Sequence, residues 1–136
     1  MASMPTTPAL ALWIVRSATR LAATFAVLQG LGIILSHPRR WGSDAFLTAL
    51  SIPGAPPVWG WLLAGAGALA LGGSLARRPR LVMLGLYLSA AWSLFFALSF
   101  IRSALVSPTA STTGIGSYLF LAALMVLLAE AHRRRA

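Results

Sequence analysis

The sequence predicts an all-α, polytopic integral membrane protein: four transmembrane helices in an antiparallel bundle, with a short amphipathic helix in the first loop. Three observations carry this. Four apolar runs lie at about 21–35, 59–75, 81–101 and 115–129. Arginine clusters punctuate them where spanning helices would end. Hydrophobic residues make up 58% of the chain and charged ones 10%, with a mean hydropathy of +0.81. A soluble domain carries about 25% charged residues, and far too few remain here to cover a water-facing surface. A helix rises about 1.5 Å per residue, so a hydrocarbon core of about 30 Å takes about 20 residues. The third run meets that alone, and the others meet it with their small, weakly polar flanks. The expected spans are about 18–36, 58–76, 81–101 and 113–131, which makes residues 1–136 a single transmembrane domain.

Residues 1–8 hold two Pro, two Thr and one Ser and read as a disordered tail. The stretch 10–19 is apolar apart from Arg16 and extends the first helix through the interface, with Trp13 at headgroup depth and Arg16 and Arg20 snorkelling. Those arginines before an apolar run resemble the start of a signal peptide. However, Ser36, His37, Pro38, Arg39 and Arg40 follow without a small-x-small cleavage site, so the segment reads as a retained helix.

The first loop, 37–58, is bounded by Pro38 and by Pro53, Gly54, Ala55, Pro56 and Pro57, which break helix at both ends. Between them Ser43 is placed to cap a short helix over 44–51, with Phe46, Leu47 and Leu50 on one face. Such a segment is expected to lie on the membrane, with Trp41, Trp59 and Trp61 as an aromatic belt. Arg77, Arg78, Pro79 and Arg80 make a tight second turn, so spans two and three form a hairpin. The third loop, 102–114, is rich in Ser and Thr, and the chain closes on His132, Arg133, Arg134, Arg135 and Ala136.

The charge is wholly one-sided: 11 basic residues, all Arg, face one Asp (Asp44) and one Glu (Glu130), for a net +9. In a soluble protein that would suggest nucleic acid. At helix ends the arginines instead meet anionic lipid headgroups, which are the expected partner, and no nucleic-acid role is read. One side holds Arg16, Arg20, Arg77, Arg78, Arg80, Arg133, Arg134 and Arg135, and the other holds Arg39, Arg40 and Arg102. The positive-inside rule then places both termini in the cytoplasm of a bacterium, with the chain in its inner membrane. Arg77, Arg78, Arg80 and Arg133–Arg135 are the expected topology and headgroup residues.

Small residues recur every fourth position: Ala18, Ala22, Ala26 and Gly30; Gly60, Ala64, Ala68, Gly72 and Ala76; Gly85, Ser89, Ser93 and Ala97. Helices in lipid associate through close backbone approach at such residues. The expected packing set is Ala22, Ala26, Gly30, Ala64, Ala68, Gly72, Gly85, Ser89 and Ser93, serving contacts within one chain, a homo-oligomer or a larger membrane partner. Ala66, Ala70 and Ser74 give the second span another small face. Trp92, Phe96 and Phe100 form a ridge that reads either as core or as a lipid or quinone groove. Gln29 is the strongly polar side chain near mid-span and is expected to bond across helices. Glu130 is placed to pair with Arg133 or Arg134.

Catalysis is poorly provided for. Without cysteine there is no disulfide, thiolate metal site or Cys nucleophile. His37 with Asp44, and Glu130 with His132, fall on opposite sides, and neither pair supplies the three or four ligands of a metal site. No span centre carries a charge, which argues against proton or ion coupling. The expectation is a protein that is not an enzyme, with no cofactor.

With these residues in view, the chain resembles the small four-span membrane proteins of actinobacteria and their phages, some of which are holins of lysis cassettes. The resemblance rests on size, four spans, the turn from Ile52 through Pro53, Gly54, Ala55, Pro56, Pro57 and Val58 into Trp59 and Gly60, and the basic tail. It implies oligomerisation in the inner membrane until the membrane is permeabilised and an endolysin escapes. The layout is also similar to DoxX-like proteins, with Trp59, Gly60 and Trp61 standing where an acidic residue is expected in that family. The sequence thus offers a holin-like oligomer, a structural or accessory subunit of a larger membrane complex, and a DoxX-like membrane protein.

Overall fold

A backbone within a bilayer has no water to bond, so an apolar run of this length satisfies its N–H and C=O groups by becoming helix. The structure, a computed structural model, describes residues 7–36, 46–109 and 112–134. Its elements are α1 (Thr7–Ile34), α2 (Leu47–Leu50), α3 (Pro57–Leu75), α4 (Pro79–Val106) and α5 (Thr113–Arg133), and no strand occurs among the described residues. α1, α3, α4 and α5 are each long and apolar enough to cross a membrane. The chain is an all-α polytopic membrane bundle. Pro57 and Pro79 open α3 and α4 at the first helical position, where a missing N–H costs nothing and the fixed φ suits the helix.

The spans are longer than the apolar runs. α1 starts at Thr7, taking in the extension over 10–19 that the sequence suggested, and α4 continues to Val106 rather than stopping near 101. The expected tail at 1–8 therefore overlaps the first turn of α1, and residues 1–6 lie outside the described residues. So do His37, Arg39, Arg40, Trp41, Ser43, Asp44 and Arg135.

The four long helices pack in chain order, α1 on α3, α3 on α4 and α4 on α5, while α1 and α5 touch only lightly. Two glycine contacts set the spacing. A Cβ on Gly30 would lie 2.6 Å from Gly60 O and 2.5 Å from Ala64 N, and one on Gly85 would lie 2.6 Å from Ala66 O and 2.5 Å from Ala70 N. Only hydrogen side chains admit backbones this close. Ser89 and Ser93 are buried beside the second contact, and their hydroxyls donate to Gly85 O and Ser89 O within α4.

Ala22, Ala26, Gly30, Ala64, Gly85, Ser89 and Ser93 are all buried between helices. Ala68 and Gly72 are not: both are exposed, and nothing stands within 4 Å of a Cβ placed on Gly72. The reason is helical pitch. At about 100° per residue, each four-residue step drifts about 40° around the axis. A stripe that begins at Gly60 and Ala64 against α1 has left that helix by Ala68. Gly67 takes over the α1 contact, beside Ala23 and Ala26, while Ala66, Ala70 and Gly73 face α4.

The aromatic ridge is core. Trp92, Phe96 and Phe100 are buried, with Trp92 stacked on Phe96 at 4.2 Å and Trp59 stacked on Phe95 at 4.6 Å. Trp59 is therefore 8% exposed, not part of an interfacial belt, whereas Trp61 is 63% exposed. α2 is packed onto the bundle. Ala49 is fully buried, Trp59 Nε1 donates to Ala49 O at 2.8 Å, and Phe46 sets its edge on Phe100 at 5.3 Å. An apolar face that meets an aromatic shelf in its own chain buries more there than at the headgroups.

Candidate functional site

Residues scattered over four segments meet at one end of the bundle. The turn after α3 begins the gathering. Ala76 N–H donates to Gly72 O and Arg78 N–H to Gly73 O, both at 2.8 Å. This is the helix stop in which one residue turns left-handed so that the chain can reverse. That residue is Arg77, with φ of 55°. Glycine is the usual occupant, and a residue with a Cβ costs on the order of 1 kcal/mol there. Pro79 then starts α4 at once.

Arg77 and Arg78 line a cavity of about 340 Å³, with Leu12, Arg16 and Arg20 from α1, Gly73 and Ser74 from α3, Pro79 and Val82 from α4, and His132 from α5. Arg20 Nε donates to Ser74 Oγ at 3.3 Å. Beside the cavity, Thr19 Oγ1 lies 3.0 Å from His132 Nε2, and the imidazole tautomer decides which of them donates. Thr19 is fully buried, so this bond is made away from water.

Among the described residues no carboxylate lines the cavity. Glu130 is engaged outside it: Arg133 pairs with it at 2.6 Å, the i,i+3 contact expected from the sequence, and Tyr87 donates its hydroxyl to the other oxygen. Asp44 lies outside the described residues. Four arginines thus line one cavity without a carboxylate among the described residues, and Leu12 and Val82 add apolar lining.

The expected headgroup residues divide. Arg77 and Arg78 line the cavity, Arg80, Arg133 and Arg134 are exposed away from its lining, and Arg135 lies outside the described residues. Arg16 and Arg20 read in the sequence as snorkelling side chains on the arginine-rich side, not as part of a site. Their i,i+4 spacing, with Leu12 one turn earlier, was the signal that they share a face. Thr19 has a fainter signal, as a hydroxyl on the buried stripe that continues through Ala23 and Ala26.

The rest of the bundle offers less chemistry. Gln29 is half-buried in a crevice of about 20 Å³ with Trp92, Ser93 and Tyr118. Side-chain bonds between helices are made by Thr19, Arg20, Trp59, Tyr87 and Trp92 among the described residues. An apolar groove of about 320 Å³ runs between α1 and α5, from Ala18 and Leu128 to Phe25 and Leu121. Among the described residues no three of His, Asp and Glu stand together as a metal site. No protein-family model matches the chain, and comparison with curated proteins and with solved structures gives no match.

Proposed function

We propose that the chain is a non-catalytic structural or accessory subunit of a bacterial cytoplasmic membrane, with both termini and the arginine-rich end in the cytoplasm. The observation that carries this reading is where the small residues are used. Gly30, Gly60 and Ala64, and Gly85, Ala66 and Ala70, bring helices of one chain together. The interior they close is filled by aromatic and aliphatic side chains. A lesion-forming oligomer draws on small faces between copies and on a polar face to line its pore. This bundle uses most of its small faces internally, and its exterior between the charged ends is apolar.

The clustering of Arg16, Arg20, Arg77 and Arg78 at one end supports the orientation. A reporter fused after Ala136 is expected to read cytoplasmic, and an external signal would overturn both orientation and span count. Expression at high membrane levels in a bacterium, with membrane potential followed continuously, tests the functional reading. Steady potential and growth are expected.

A second reading, the holin-like oligomer, keeps one specific observation. Gly65, Ala68 and Gly72 lie exposed along the outer side of α3, and Gly65 and Gly72 have nothing near. Abrupt depolarisation at a reproducible time, with lysis when an endolysin is co-expressed, would favour it over the accessory reading.

A further inference from the structure

The arginine-walled cavity is a built site, and its chemistry points to a ligand. We propose that it binds one phosphate group, carried by an anionic phospholipid headgroup or by a soluble phosphorylated molecule. This inference stands apart from the accessory reading and needs only that the bundle folds as described.

Charge is the first argument. Arg16, Arg20, Arg77 and Arg78 line one cavity, and among the described residues no carboxylate lines it with them. Like charges gathered around one cavity repel one another. Arg20 donates to the neutral Ser74 hydroxyl, which brings no compensating charge. A phosphate offers several acceptor oxygens to planar donors that match it two at a time. The first turn of α4 forms one wall through Arg78, Pro79 and Val82, and adds the positive end of its dipole. The last carbonyls of α3 would work against an anion, but Gly72 O and Gly73 O are already occupied by the N–H groups of Ala76 and Arg78.

Backbone conformation is the second. Arg77 holds a left-handed position that glycine fills without cost. Strain kept at one residue is a reason to look for what its side chain does. Here the side chain completes the cavity wall.

Size is the third. Ligand sites run from about 300 to 1,000 Å³, so about 340 Å³ takes a headgroup rather than a whole lipid. Leu12 and Val82 add apolar lining to the cavity.

The test uses the full chain in detergent, titrated with phosphatidylglycerol or phosphatidylcholine in mixed micelles, and separately with inorganic phosphate. Binding is read by native mass spectrometry and by the unfolding midpoint. A lipid source predicts retention of phosphatidylglycerol about tenfold or more over phosphatidylcholine, the scale of one charge-assisted hydrogen bond, without displacement by millimolar phosphate. A soluble source predicts a raised midpoint with phosphate and little preference between lipids. An Arg16→Gln, Arg77→Gln double variant should abolish either preference. Arg80→Gln with Arg134→Gln removes the same charge outside the cavity and should leave it intact. Arg77→Gly relaxes the turn, so it should fold at least as well as the parent and still bind about tenfold more weakly. Equal losses in the two double variants would reduce the effect to general charge and overturn the site. So would indifference to phosphatidylglycerol and phosphate alike.

Discussion

Thr19 of α1 and His132 of α5 meet across the arginine-rich end, Oγ1 3.0 Å from Nε2, although 113 residues separate them in the chain. The contact matters because α1 and α5 otherwise touch only lightly, with an apolar groove of about 320 Å³ between them. Thr19→Val keeps the shape and removes the oxygen, leaving His132 without this partner. A loss of about 1 kcal/mol in stability is expected, the usual scale for a hydrogen bond between membrane helices. Because the chain has no cysteine, a Leu21→Cys, Leu124→Cys pair reports on the groove cleanly. Cross-linking across it should slow in the Thr19 variant as the helices separate, and an unchanged rate would mean that packing alone holds them.

Gly85 and Gly72 should respond oppositely to the same substitution. A Cβ on Gly85 would meet the backbone of Ala66 and Ala70, which has no rotamer by which to yield. Gly85→Ala should therefore push α3 and α4 apart and lower stability by about 1–3 kcal/mol. Gly72→Ala meets nothing, and it should be neutral or stabilising by up to about 1 kcal/mol through better helix propensity. Unfolding midpoints in detergent check both. A Gly72 variant that is destabilised, or that changes the mass of a native assembly, would show that the outer face of α3 is an interface between copies.

Trp59 fastens the first loop to the bundle. Its indole N–H reaches Ala49 O at 2.8 Å, and its own carbonyl accepts from Trp92 Nε1 at 3.0 Å. Trp59→Phe keeps the stacking on Phe95 and drops the first bond. The expected cost is about 1 kcal/mol, concentrated locally, so amide exchange should quicken over 46–52 and stay unchanged in α4. Uniform quickening would place Trp59 in the global core instead.

Arg77→Gly should raise stability, unlike most substitutions. It removes a Cβ from a residue at φ of 55° while keeping the turn's two hydrogen bonds. The gain expected is on the order of 1 kcal/mol. A lower midpoint would mean that contacts of the arginine side chain outweigh the backbone cost even without a ligand.

How much of this was legible can be followed residue by residue. The four spans, the hairpin at Arg77–Arg80 and the Glu130–Arg133 pair all follow from local rules. Apolar length, a proline at the first helical position and i,i+3 spacing each act within a few residues. The same rules marked Gly30, Ala64 and Gly85 as contact residues. They did not say that Ala68 and Gly72 would lie outside the contacts of a single chain, because a four-residue stripe drifts off any one neighbour and only the placement of α1 and α4 says where it does so. They failed at Trp59, whose indole suits a membrane interface or a core equally well.

The sequence by itself determined the class of the molecule, since 58% hydrophobic and 10% charged residues leave a helical membrane bundle as the way to satisfy the backbone. Tertiary structure decided the site. Arg16 and Arg20 on α1, Arg77 and Arg78 in the turn after α3, and His132 on α5 lie in three segments, and no local spacing links one segment to another. They become one cavity because α1 runs beside α3, the turn after α3 is left-handed at Arg77, and α5 ends level with that turn. Charge at a helix end is a local property, whereas charge without a counter-charge in a shared cavity exists only once the helices are packed.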